Sequence, residues 1–92
     1  MAYRITQRQR QNAKNLSVTI KPSLNPKKKL DVFSKGKKIA EIGASGYMDY
    51  DLYLKTQSKA FADNRRRLYK IRHQANRNVK GSNGYYADKI LW

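Results

Sequence analysis

The chain has 92 residues and no cysteine, and its 21 Lys and Arg against 6 Asp and Glu give a formal net charge of +15 at pH 7. The missing thiols exclude disulfides and thiolate metal sites, and a self-repelling charge of this size in so short a chain calls for a polyanion or an acidic protein surface as partner. The opening residues lack an apolar signal core and no run approaches a membrane span, so the chain is expected to be made in a cytosol-like compartment and to be soluble or assembled.

The charge is uneven. Residues 1–38 hold 11 Lys and Arg with Asp31 as their only acid, whereas residues 39–92 hold 10 with five acids. Residues 1–15 are rich in Arg, Gln and Asn, and Tyr3, Ile5 and Ala13 follow neither a helical nor a strand period. Few apolar groups are present to offset the entropy of ordering. Residues 1–26 are therefore predicted to be an extended basic arm that offers Arg4, Arg8 and Arg10 to acidic groups, and residues 27–92 to be a small domain. Within the arm, Leu16–Ile20 alternates apolar and polar residues as a short strand does, and Pro22 and Pro26 bracket a connector.

Lys29–Phe33 and Lys38–Ile42 are strand-like runs joined by a short polar loop with a glycine, which predicts a β-hairpin. Neither run alternates cleanly; Leu30, Val32, Ile39 and Ile42 are the expected core members. The lysines at 27, 28 and 29 read either as a solvated edge or as a contact for a polyanion.

The stretch Gly43 to Tyr50 predicts a corner. Gly43 and Gly46 admit backbone angles that other residues resist, and Tyr47 and Tyr50 offer apolar rings with a hydroxyl at the rim. From Ser58 to about Asn76 no Gly or Pro interrupts the chain, and Phe61, Asn64, Leu68, Ile71 and Ala75 recur at helical spacing. This predicts an amphipathic helix with that face buried. Arg66, Lys70, His73 and Arg77 then form a ridge on the other side, either ordinary solvated surface or a polyanion contact. Arg72 falls inside the apolar sector, where its charge needs a carboxylate or a route to water; Asp49 at the corner is the expected partner. After the loop at 81–84, the closing run holds Tyr85, Tyr86, Leu91 and Trp92. These apolar anchors pack back on the domain or dock into a neighbouring protein.

Three pieces of the chain, in this order, resemble a small uncharacterised family of basic domains from large DNA viruses of protists and algae and from some bacteriophages. Ile42-Gly43-Ala44-Ser45-Gly46-Tyr47-Met48-Asp49-Tyr50 is similar to its Gly-Ala-x-Gly-Tyr-x-Asp-Tyr, and Tyr69-Lys70-Ile71-Arg72-His73 to its Tyr-x-x-Arg-His. Gly84-Tyr85-Tyr86 with Ile90-Leu91-Trp92 is similar to its Gly-aromatic-aromatic and terminal Leu-Leu-Trp. The resemblance covers residues 38–92 and implies a viral origin and a place in the virion rather than a reaction.

The expected fold is α+β, a β-hairpin or short antiparallel sheet packed on one amphipathic helix, with the basic arm extended from it. Catalysis is the weakest expectation: one histidine, scattered single acids, and neither a phosphate-binding glycine loop nor a zinc spacing. No cofactor, metal or small-molecule substrate is expected. The remaining classes are a minor capsid or cement-type protein that binds larger virion proteins through its arm and apolar end, and a sequence-independent binder of DNA or RNA backbone, virion-internal or ribosomal-like. The first is preferred, which places the chain in the virion after synthesis in the host cytoplasm.

Overall fold

Thr6-Gln7-Arg8-Gln9 is a capping box, and it starts a helix where the extended arm was expected. In the computed structural model, which describes residues 3–92, α1 runs over Gln7–Asn15. The Thr6 hydroxyl accepts from the Gln9 N–H, and the Gln9 side chain accepts from the Thr6 N–H, so two of the orphan donors at the helix start are satisfied reciprocally. A Schellman motif closes the helix: Ser17 takes a positive φ of 59°, and the Ser17 and Val18 N–H groups donate to the Lys14 and Ala13 carbonyls. Ala13 and Gln9 are buried, and Tyr3, Ile5, Leu16 and Val18 pack against the core from the two flanks of α1. The apolar residues of the front lack a period because most of them lie outside the helix, in the segments that lead into and out of it. The expected arm is therefore corrected to an integral layer of one domain; its first two residues, Met1 and Ala2, lie outside the described residues.

The sheet has three antiparallel strands in the order β1 (Thr19–Pro22), β2 (Lys28–Ser34), β3 (Lys37–Ala44). The strand expected at Leu16–Ile20 starts later, because the helix-closing motif uses Leu16 to Val18. Pro22 ends the edge strand, where a missing N–H leaves the ladder intact. Lys35 and Gly36, with φ of 53° and 79°, form the two-residue hairpin turn between Ser34 and Lys37, a backbone twist that suits the twist of paired strands. Central β2 is buried from Lys29 to Val32. In β3 the pairing passes from Val32–Ala40 to Phe33–Lys38, so Ile39 is a bulged extra residue. That bulge carries Ile39 outward, 39% exposed, while Ala40 and Ile42 point into the core. It also accounts for the broken alternation of this strand.

The chain then forms α2 (Tyr50–Thr56), α3 (Lys59–Arg72) and α4 (Asn83–Tyr86), and α4 continues into a π-helical turn, Ala87–Leu91. Ile90 and Leu91 complete a core built with Ala13, Ile20, Leu30, Val32, Ala40 and Ile42. Two side chains of α1 satisfy carbonyls of that turn: Asn12 Nδ2 donates to Ile90 O at 3.2 Å and an Arg8 guanidinium nitrogen to Leu91 O at 3.1 Å. The two ends of the sequence thus meet over one face of the sheet, and the fold is α+β. Among the described residues, no helix is long and apolar enough to cross a membrane.

Gly43 fixes where the closing turn meets the sheet. Its φ is +76°, and a Cβ there would lie 2.8 Å from Leu91 Cδ1 and 3.2 Å from Lys29 Cβ. Gly46, at φ +84°, has open space around it. Gly43→Ala is expected to lower stability by on the order of 2–3 kcal/mol, combining a left-handed backbone with overpacking. Gly46→Ala is expected to lose only about 1 kcal/mol from the backbone. Thermal melts of the two variants check the order.

Candidate functional site

The corner is organised by Asp49. Its Oδ1 accepts from the Leu52 N–H at 3.0 Å and so caps α2. Its Oδ2 accepts from Lys29 Nζ at 3.0 Å and from the Tyr3 hydroxyl, which itself accepts from Gln9 Nε2 at 2.7 Å. Asp49 is 1% exposed and Lys29 is 5% exposed. The partner of Asp49 is thus Lys29, and the expected pair with Arg72 does not form. Arg72 is exposed and, among the described residues, has no carboxylate within ion-pair distance. Lys29 reaches the corner from the central strand along a buried stem, whereas α3 is turned so that Arg72 faces water.

Tyr50 is the other fixed point of the corner. The guanidinium groups of Arg8 and Arg66 lie over its ring, 4.7 Å and 4.1 Å from the centre, and its hydroxyl donates to Asp63 Oδ1 at 2.6 Å. Tyr47, expected to share in covering the corner, is 72% exposed.

Three phenols are held above their ordinary pKa. Burial and the hydrogen bond to Asp49 raise Tyr3; the hydrogen bond to Asp63 and then burial raise Tyr50; burial and the Asp88 charge raise Tyr69. A folded-state pKa above the unfolded value of about 10 gives stability that is complete below pH 10 and drains as pH rises through the folded value. Spectrophotometric titration at 295 nm is expected to register a delayed phenolate fraction that Tyr3→Phe reduces.

All six carboxylates are used inside the fold. Asp31 accepts from Ser23 and lies 3.9 Å from Lys38. Glu41 holds Lys38 and Asn25, and Asp51 holds Arg8 and Thr6. Asp63 meets Lys59, Arg66 and Tyr50, and Asp88 meets Lys70, Arg77 and Lys89. With Lys29 on Asp49, these pairs engage 8 of the 21 cations and leave 13 without an ion pair among the described residues. Arg4, Arg10 and Lys27 belong to that unpaired set and are exposed, and Lys28 is half-buried. Arg8 and Lys29 are corrected from partner contacts to internal groups.

The expected ridge is also corrected: the helix expected to run to about Asn76 ends at Arg72, with His73 its C-cap and Arg77 in the turns beyond. Arg66, Lys70, His73 and Arg77 are half-buried and face the body of the domain, where Tyr50, Asp63 and Asp88 receive three of them and the His73 ring lies 4.3 Å from that of Tyr69. Each charge on that side has an anionic or aromatic receiver, so the polar side of the wheel packs inward together with Ala62 and Tyr69. The apolar stripe is left outside: Phe61 is 46%, Leu68 40% and Ile71 61% exposed.

The closing anchors pack back on the domain. Leu91 is in the core, and Trp92 stacks on Tyr69 with ring centres 4.5 Å apart and planes 11° from parallel. Tyr85 and Tyr86 meet edge to face, both half-buried. Between the outward stripe of α3 and the Gly43–Met48 corner lies a groove of about 730 Å³ with Trp92 in its lining.

Sequence reading missed Tyr3 and Lys29 as partners of Asp49, and Gln9 as the donor that holds the Tyr3 hydroxyl. Only the capping box signals any of this, because it makes a helix of the segment that brings Tyr3 and Gln9 to the corner. Among the described residues, no three His, Cys, Asp or Glu side chains converge as metal ligands. Comparison with protein-family models, curated proteins and solved structures finds no match to the chain.

Proposed function

We propose that this chain is a non-enzymatic structural component of a virus particle, a minor capsid or cement-type protein that binds acidic surfaces of larger virion proteins. One observation carries the reading: every carboxylate is engaged within the fold, so the surplus of cations faces outward without internal compensation. An anionic partner relieves that self-repulsion and adds the buried area a small domain lacks. The likeness of residues 38–92 to viral basic domains supports a site in the virion, reached after synthesis in host cytoplasm. The contact surface is that of the folded domain, since the former arm and apolar end are engaged internally. Quantitative mass spectrometry of purified particles tests the reading. The expected result is a fixed ratio to the major capsid protein, with release by high salt and not by nuclease; absence from the particle would overturn it.

A second reading, sequence-independent binding of DNA or RNA backbone, is favoured by how widely the unpaired cations are spread. They lie before and on α1, on β1, at Lys27 and Lys28 at the start of β2, at Lys35 and Lys37 around the hairpin turn, on α2 and α3, and at Lys80. Phosphate contacts of that kind give affinity that falls steeply with salt and differs little between sequences. Titration of two unrelated duplexes at two salt concentrations tests it, and release from particles by nuclease would favour it over the first reading.

A further inference from the structure

Resting on the reading of an acidic protein partner, we propose that the groove between α3 and the Gly43–Met48 corner receives an amphipathic helix whose apolar face is flanked by acids. Leu68 and Ile71 of α3 form one wall and Tyr47 and Met48 the other. All four are exposed, from 36% at Met48 to 72% at Tyr47. An apolar stripe on a helix is ordinarily buried; here it is turned outward and faces a concave surface, the arrangement in which helices dock. Methionine suits such a wall because its side chain adapts to what it meets.

Charge selects the occupant. Among the described residues Arg65 and Arg72 stand at the groove without ion-pair partners, and the one Asp or Glu side chain there, Asp49, is turned inward to Lys29, Tyr3 and the Leu52 N–H. The groove therefore presents positive charge around apolar walls. A second copy of this chain would bring its own +15 against those arginines, which disfavours self-association. A nucleic-acid base has less to gain than an apolar side chain, because Tyr69 already occupies one face of Trp92 and the α3 wall is aliphatic. Arg65 and Arg72 are seven residues apart on one helix, or roughly 10 Å along its axis. Acids at i and i+7 of a partner helix lying along α3 match that interval, with apolar residues between them against Leu68 and Ile71.

Trp92, the only tryptophan, lines the groove and reports on it directly. The probe is a tryptophan-free model peptide of about 15 residues with leucines at i, i+3, i+4 and i+7 and glutamates elsewhere, a pattern sufficient for groove recognition by a helix. It is compared with a scrambled peptide of the same composition and with oligothymidine. The expected result is a saturable change in Trp92 emission, with the scrambled peptide bound about ten-fold more weakly and Leu68→Ser or Ile71→Ser weakening the patterned peptide by a similar factor. Both residues are exposed, so these variants keep the wild-type circular dichroism. Equal affinity for patterned and scrambled peptides, or indifference to both substitutions, overturns the groove and leaves an acidic partner bound elsewhere. Failure of both acidic peptides to bind at low salt overturns the underlying reading as well. Displacement of the patterned peptide from Trp92 by oligothymidine at lower concentration assigns the groove to nucleic acid and overturns the proposal.

Discussion

Asp49→Ala is expected to lower stability by about 3–5 kcal/mol, because it leaves the Lys29 ammonium buried without a counter-charge. The same substitution removes the α2 cap and the acceptor of the Tyr3 hydroxyl. A domain of this size has only on the order of 5–10 kcal/mol in total, so the variant is expected to melt close to working temperature. Lys29→Met is expected to lose less, since the stem stays buried and Asp49 keeps the Tyr3 hydroxyl and the Leu52 N–H as donors. Adding Asp49→Asn to Lys29→Met is expected to recover part of the loss, the sign of coupling within one network. Arg72→Met should fall within about 0.5 kcal/mol of wild type, as exposed substitutions usually do. Denaturant titrations of the four variants and the wild type in one buffer check the series.

Deletion of residues 2–20 is expected to unfold the rest of the chain. The deletion removes Ala13 and Ile20 from the core, the apolar flanks Tyr3, Ile5, Leu16 and Val18, and the start of β1. It also strips the Ile90 and Leu91 carbonyls of the Asn12 and Arg8 donors, and it strips Asp51 of Arg8 and Thr6. Full burial of an aliphatic side chain contributes about 1.5–3 kcal/mol, so Ile20, the four half-buried flanks, the lost hydrogen bonds and the unpaired β2 edge together approach the whole stability of so small a domain. Circular dichroism of the truncated protein is expected to lack a cooperative transition. A folded remainder would return the front of the chain to an independent arm.

The hairpin, the corner and the start of α3 were legible in the sequence because each rests on local chemistry. Gly36 suits the tight turn, Asp49 and Ser58 are capping residues, and Leu30, Val32 and Ile42 belong to strand-like runs that the core buries. The front of the chain was misread because its helix buries little of its own side chains. Its apolar residues flank the helix, and the capping box at Thr6 and Gln9 is the signal that outweighs the missing period. The α3 wheel was read correctly as a wheel and placed the wrong way round. Periodicity says which residues share a side, and the side that packs is decided by long-range partners. Here Asp88 for Lys70 and Tyr50 for Arg66 make a basic stripe the inward one. Composition also concealed how the charges divide: Glu41 and Asp63 have local partners in Lys38, Lys59 and Arg66, but Asp49, Asp51 and Asp88 find Lys29, Arg8 and Lys70 across the fold.

The outward turn of α3 is the feature on which the proposed partner surface rests, and the absence of native cysteine allows a direct test of it. Single variants Ala62→Cys, Leu68→Cys and Ile71→Cys are labelled with a maleimide under native conditions, and the rates are compared with those of the unfolded chains. Leu68 and Ile71 are 40% and 61% exposed and Ala62 is 0% exposed. The thiols at 68 and 71 are therefore expected to react nearly as fast folded as unfolded, and the thiol at 62 to react only through transient opening, slowed by about a hundred-fold or more. Rapid labelling at 62 with protection at 68 and 71 would mean that α3 buries its apolar stripe, and it would remove the groove from the surface of this protein.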